Sequence, residues 1–178
     1  RIRAGSIIIA AGSKPVVPEA WKAFGDRVIT TDEVFEQENL PQSLAVIGMG
    51  TIGLELGQSM QRLGIEVTGF DQLDTVGGAQ DPEVVACAKE ILGKDFPIHL
   101  GHRAEISEEP DGRLRVTAGE QSVVVEQVLA AMGRVPNLKG LGLEKLGAEL
   151  DERGIPLFDR NTMQVGDLPV FIAGDVTG

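Results

Sequence analysis

An α/β fold is predicted for this 178-residue chain: a parallel sheet covered by helices, with a three-stranded antiparallel meander attached. Three observations predict it. The apolar run Leu44-Ala45-Val46-Ile47 leads into the glycine-spaced turn Gly48-Met49-Gly50-Thr51-Ile52-Gly53. Apolar residues then recur at helical spacing, and past residue 102 the pattern changes to the alternation of hairpins.

Strand, glycine turn and helix in that order are the layout of a Rossmann-like βαβ unit that binds dinucleotides. Gly48 makes the tight turn off the strand, Gly50 lets the backbone approach a pyrophosphate, and Gly53 lets the helix press on the sheet. A pyrophosphate would sit over the unpaired N–H groups at the positive end of that helix, so Gly48, Met49, Gly50, Thr51, Ile52 and Gly53 are the candidate contacts. Ile52, Leu56, Met60 and Leu63 predict the buried face of the helix, with Gly57 beside it and Gly64 as its stop.

Ile65, Val67, Gly69 and Phe70 predict the next buried strand. It ends in Asp71, 21 positions after Gly50, where a carboxylate can accept both hydroxyls of an adenosine ribose. A 2′-phosphate about 5 Å away would be repelled by about 3 kcal/mol per unit charge at an effective dielectric near 20. Gln72, Leu73, Asp74 and Thr75 supply no Arg or Lys to neutralise it, so NAD is expected over NADP. The structural alternative is that Asp71 caps the loop after the strand.

Further along, Asp81 and Pro82 predict a capped helix over Pro82–Leu92 with Val84, Val85, Ala88, Ile91 and Leu92 on its apolar face, and Cys87 reads as a buried structural thiol. One cysteine excludes an internal disulfide. His99 and His102 read as ordinary strand or loop residues, with no metal site. Pro97–Leu100 is a third parallel strand. The meander runs over 103–107, 113–118 and 121–125, with turns at Pro110-Asp111-Gly112 and Ala118-Gly119-Glu120. Gln127–Met132 is another buried strand, Leu141–Leu146 a short helix, and Glu149–Asp151 and Ile155–Phe158 are short elements between turns.

Composition narrows the partners. With 42% hydrophobic residues the chain can bury a full core, and its net charge of −11 disfavours nucleic acid and anionic membranes. No segment approaches the ~20 apolar residues of a membrane span and no N-terminal signal pattern is present, so a cytoplasmic location is expected. The chain opens at Arg1 just before a strand, Ser6–Ala10, that reads as buried, and stops six residues after another, Val170–Ile172. Both ends therefore read as cut from a larger sheet. Strands 6–10 and 170–173 are expected to pair with each other, lie disordered or drive self-association.

Three separated signatures add a resemblance: Ile7-Ile8-Ile9-Ala10-Ala11-Gly12-Ser13-Lys14-Pro15; the glycine turn continued by Leu54-Glu55; and Gly133-Arg134-Val135-Pro136-Asn137 followed by Phe171-Ile172-Ala173-Gly174-Asp175. In this order they resemble the middle of the flavoprotein pyridine nucleotide-disulfide oxidoreductases, the dihydrolipoamide dehydrogenases most of all. The resemblance implies an FAD domain interrupted by an NAD-binding insertion. Residues 1–30 would be the outgoing FAD segment, 31–134 the NAD-binding domain, and 135–178 the returning FAD segment, with Thr31 and Asp32 starting a connecting helix.

The same resemblance implies roles at matching positions. Glu55 would lie near the nicotinamide, Ala104 on the adenine side, and Gly133 where backbone approaches the nicotinamide. Ala11, which stands where the family more often has Thr, and Gly12 would pass the flavin diphosphate, and Asp175 would accept from the FAD ribitol. Glu55 is equally read as a favourable acid in a first helical turn, and Asp175 as an N-cap. The implied whole is an FAD- and NAD-dependent enzyme that oxidises a dithiol and passes hydride from FAD to NAD, a homodimer found in some cases within a 2-oxoacid dehydrogenase complex. The family's redox-active Cys pair and its C-terminal His-Glu pair have no counterpart here, so no catalytic residue is expected in this chain. Mercuric reductases, soluble transhydrogenases, NADH oxidases and a non-catalytic NAD-responsive protein are the alternatives.

Overall fold

The structure is a computed structural model in which residues 3–178 are described. In chain order its strands are β1 (Ile7–Ile9), β2 (Ser13–Pro15), β3 (Val28–Ile29), β4 (Ser43–Ile47), β5 (Glu66–Phe70) and β6 (Ile98–His99), with helices α1 (Thr51–Arg62) after β4 and α2 (Pro82–Leu92) after β5. Then follow β7 (Glu105–Glu108), β8 (Leu114–Ala118), β9 (Gln121–Val125), β10 (Gln127–Ala130), β11 (Arg134–Pro136) and β12 (Val170–Ile172). They form two compact units: residues 15–133, and the residues up to 14 together with 134–178.

In the larger unit five parallel strands lie in the order β3-β10-β4-β5-β6. β4 has partners on both edges, Ala45 standing opposite Val128 on one side and Thr68 on the other. Alternate side chains of a strand point to opposite faces. Leu44 and Val46 accordingly enter the helix-side core with Leu56, Met60 and Phe96, while Ala45 and Ile47 enter a second core with Phe70, Leu114, Val116 and Val128. The meander β7-β8-β9 contributes to that second core. Burial on both faces is the reason β4 reads as an unbroken apolar run rather than an alternating one.

α1 covers the predicted span but presents a different face. Its buried residues are Gly53, Leu56, Gly57 and Met60, while Ile52 is 38% and Leu63 66% exposed. The glycines cause this rotation. A Cβ on Gly57 would stand 3.0 Å from the Phe96 ring, so the helix docks along its small residues and turns Ile52 and Leu63 to its flanks.

α2 begins as expected. Asp81 Oδ1 accepts from the backbone N–H groups of Glu83 (2.9 Å) and Val84 (3.2 Å), with Pro82 in the first position. Its predicted apolar face is too wide: Val85 is buried, Ala88 and Leu92 pack against the core, and Val84 and Ile91 are exposed. Cys87 is exposed as well, contrary to the buried thiol expected. The helix touches the core along the narrow stripe 85/88/92, and a residue two positions from Val85 points about 200° away.

The connecting helix expected at Thr31 and Asp32 is not formed; residues 31–36 are turns. Thr30 N donates to Glu33 Oε2 at 2.8 Å and Val34 N to Thr30 O at 3.1 Å, the contacts of a helix start. Only Val34 of this stretch is buried and Phe35 is 79% exposed. One anchor does not offset the cost of nucleating a helix.

In the smaller unit β1 and β12 pair in parallel, Ile7 opposite Val170 and Ile9 opposite Ile172. Of the outcomes expected for these strands, mutual pairing is the one adopted. The burial predicted for Ser6–Ala10 is corrected: Ile7 and Ile8 are exposed, and only Ile9 packs on the cluster of Leu138, Leu143, Ile155, Val165, Ile172 and Val176. A strand with one neighbour and one covered face buries one side chain in two. The short helix predicted over Leu141–Leu146 is a 3-10 turn confined to Leu143–Leu146, because Gly142 before it is left-handed (φ +74°).

Candidate functional site

The glycine turn is assembled by close backbone approach. Gly48 has φ +104°, and a Cβ there would stand 2.3 Å from the carbonyl oxygen of Ala131. A Cβ on Gly53 would stand 1.8 Å from Gly48 O. No side chain fits either place, so β4, the turn, α1 and the end of β10 are drawn together only because these residues are glycine. Gly48 N donates to Phe70 O at 2.8 Å and Ala131 N to Ile47 O at 2.8 Å, which fixes the turn between its neighbours.

Gly50 behaves differently. It is the N-cap of α1, it makes no side-chain cap, and a Cβ there would meet nothing within 4 Å. The first turn of α1 therefore keeps its backbone N–H groups uncapped by any side chain, at the positive end of the helix.

Asp71 closes the other side. Its Oδ2 accepts from Met49 N at 2.6 Å and its Oδ1 from Leu73 N at 2.9 Å. The carboxylate thus both caps the loop after β5, as the structural alternative held, and reaches across to the glycine turn. Asp71 N donates to His99 O at 2.9 Å and His102 N to Asp71 O at 3.3 Å, so β6 and the loop after it hold the backbone on which this carboxylate stands. Phe70 and His99 add a tilted ring contact with centroids 5.3 Å apart.

Between these groups lies a cleft of about 430 Å³, lined by Gly48, Gly50, Asp71, Ala104, Gly133 and, from the 3-10 helix over 19–27, Trp21. Five of the sequence-predicted residues therefore meet in one cleft. Met49 and Gly53 shape it from behind: the Met49 side chain is 1% exposed in the core and Gly53 is buried. Thr51, Ile52 and Glu55 are exposed on α1 and do not line it. Sequence reasoning missed Trp21, Gln72, Leu73, Met132 and Arg103, which also line it. Arg103 directly precedes Ala104 but lies far along the chain from Gln72-Leu73-Asp74-Thr75, the stretch that follows the acid. A larger hollow of about 690 Å³, which Trp21 also lines, carries Asp26, Glu33, Glu36 and Glu38 against the single cation Lys22, a net negative wall that disfavours phosphate.

The remaining predicted residues belong to the smaller unit. Asn137 N donates to Gly12 O at 2.9 Å, and its side-chain amide to Ala11 O at 3.0 Å. Arg134 Nε donates to Ser13 Oγ at 2.8 Å, Arg134 Nη2 to Ser13 O at 2.8 Å, and Ser13 Oγ to Asp175 Oδ2 at 3.3 Å. Asp175 lies in a 3-10 turn, Gly174–Thr177, exposed beside a shallow hollow lined by Ser13, Arg134 and Pro136. Among the described residues no group of His, Cys, Asp and Glu converges to hold a metal ion, and no helix is long and apolar enough to cross a membrane.

Comparison with known proteins gives consistent results. The sequence profile described as pyridine nucleotide-disulphide oxidoreductase matches residues 1–178. A dihydrolipoyl dehydrogenase of Thermus scotoductus is 36% identical over 97% of this chain and 39% of its own length. A mercuric reductase of Staphylococcus aureus is 32% identical over 99% of the chain and 33% of its own length. Among solved structures, LpdA from Mycobacterium tuberculosis superposes with a TM-score of 0.84 at 26% identity, covering 98% of this chain and 38% of that one. The chain thus spans 39% or less of the length of these relatives.

Proposed function

Because the chain belongs to the pyridine nucleotide-disulphide oxidoreductase family, we propose that residues 15–133 bind NAD(H) in the cleft between the glycine turn and Asp71. The observation that carries this reading is that Gly50, uncapped and with open space before it, faces the same cleft as the Asp71 carboxylate. Positive helix end and acid are the complements of a diphosphate and a ribose.

The chain's own residues bind and orient. Of the turn residues Gly48, Met49, Gly50, Thr51, Ile52 and Gly53, Gly48 and Gly50 bring backbone into the cleft for the diphosphate, Asp71 accepts the adenosine ribose hydroxyls, and Ala104, 8% exposed, gives the adenine a small flat wall. Gly133, which lines the same cleft, leaves room for the nicotinamide, and Glu55, exposed on α1 outside that lining, is the carboxylate assigned to its carboxamide.

The family uses FAD together with NAD(P). Residues 1–30 and 135–178 are, on this reading, the two segments of an FAD domain around an NAD-binding domain of residues 31–134. Ala11 and Gly12 would pass the flavin diphosphate, and Asp175, held by Ser13 Oγ and through it by Arg134, would accept from the ribitol. When bound, FAD and NAD⁺ supply the hydride donor and acceptor; this chain supplies no catalytic residue. The longer enzyme is of the dihydrolipoyl dehydrogenase type, oxidising a dithiol as a homodimer, with a 2-oxoacid dehydrogenase complex as a partner.

Calorimetric titration of the chain with NADH tests the reading. Wild type is expected to bind weakly, and Asp71→Ala to lose about tenfold in affinity for NADH, the loss of a charge-assisted hydrogen bond. Equal affinities for the two proteins would remove Asp71 from the site.

A further inference from the structure

Arg103 stands out because its side chain has no partner among the described residues. Residues 15–133 contain eight Lys and Arg side chains: Lys22, Arg27, Arg62, Lys89, Lys94, Arg103, Arg113 and Arg115. Seven of them lie in ion pairs. Arg103 makes no ion pair and no side-chain hydrogen bond among the described residues, in a chain of net charge −11 where carboxylates are plentiful. It is exposed, and it lines the cleft beside Asp71, Gln72, Leu73 and Ala104.

Its backbone is anchored while its head is not. Gly101 N donates to Leu73 O at 3.2 Å and His102 N to Asp71 O at 3.3 Å, which ties this segment to the loop carrying the acid. Ala104 on its other side is buried. Arg103 therefore lines the cleft from a segment whose backbone is fixed to the loop that carries Asp71. Asp71 itself is already engaged by two N–H donors, Met49 and Leu73, which draw off part of its negative charge.

We propose that Arg103 is a specificity-determining residue that recognises a phosphate on the adenosine ribose, so that the cleft accepts a 2′-phosphorylated dinucleotide as well as an unphosphorylated one. The inference rests on the nucleotide reading of the cleft. It departs from the expectation drawn from Asp71 and the residues that follow it, because the compensating cation comes from a segment some thirty positions later in the chain. A guanidinium offers a planar fork of donors matched to phosphate oxygens, and Asp71 beside it still serves a free ribose.

The test is calorimetric titration of the full chain with NADH and with NADPH at low salt, for wild type, Arg103→Ala and Arg103→Lys. In wild type both nucleotides bind. Arg103→Ala raises the ratio of the NADPH to the NADH dissociation constant about tenfold, Arg103→Lys raises it less, and the difference shrinks in high salt because the pair is exposed. An unchanged ratio in Arg103→Ala overturns the inference, whether both affinities fall together, as they would for a contact to the shared diphosphate, or neither moves. A wild-type chain that binds NADH and not NADPH also overturns it and leaves the nucleotide cleft standing. Binding of neither nucleotide defeats the cleft reading itself, and this inference with it.

Discussion

Gly53 is the residue on which the site's geometry turns most sharply. Its missing side chain lets α1 reach the carbonyl of Gly48, and an added Cβ would lie 1.8 Å from that oxygen. That carbonyl is backbone, so it cannot swing aside. Gly53→Ala is expected to destabilise the chain by about 3 kcal/mol or more in urea unfolding, with an unchanged m value. A loss under about 0.5 kcal/mol would show that α1 docks less closely than described. The role of this glycine was legible in the sequence because strand, turn and helix flank it at fixed spacing. Arg103 was not legible, since nothing in a linear pattern shows that the loop after β6 is bonded to Asp71. Cys87 failed for a related reason: an apolar segment records that a helix is amphipathic, while the width of the stripe that touches the core depends on the neighbours.

At the level of elements, α2 shows how little of a helix must be buried for it to be held. Val85, Ala88 and Leu92 make its contact with the core, so the Asp81 cap carries a larger share of its stability than a cap on a well-buried helix would. Asp81→Ala is expected to cost about 1 kcal/mol, read as a lowered urea midpoint, with Asp81→Asn restoring most of it. An Ala variant as stable as wild type would place the helix start elsewhere. The span of α2 followed from its cap and its proline, and that of α1 from its glycines. The segment after Thr30 carries equally good capping chemistry and stays a turn, with Val34 as its one buried residue. Local signals locate the place where a helix can begin; packing decides whether it continues.

Across the whole molecule, acidity governs the response to pH. Arg27 holds the carboxyl of Glu108 below the usual carboxylate range, Arg113 does so for Asp111, and the backbone N–H groups of Ile155 and Asn161 do so for Asp151 and Asp159. A carboxyl whose folded value is depressed adds stability that is complete above its unfolded value and is lost as pH falls through the folded one. Relief of the chain's negative self-repulsion acts the other way until the pI of 4.6, and below it the two effects agree in sign. Urea unfolding followed from pH 7 downward is expected to show little change above about pH 5 and a steady loss below about pH 4. Stability that rises on acidification from pH 4 to pH 3 would contradict these contacts. The division of the chain into a larger unit of residues 15–133 and a smaller unit built around β1 and β12 follows from which residues contact one another, and the long-range pairing of Ile7–Ile9 with Val170–Ile172 is what composition alone cannot supply.

In the proposed binding mode one cleft grips a diphosphate with the backbone at Gly50 and reads its sugar with Asp71. A crystal structure of the chain with NADH tests it most directly. Diphosphate oxygens are expected within hydrogen-bond distance of the first N–H groups of α1, with the adenosine ribose on the Asp71 carboxylate. NADH bound elsewhere, or with its ribose away from Asp71, would contradict it.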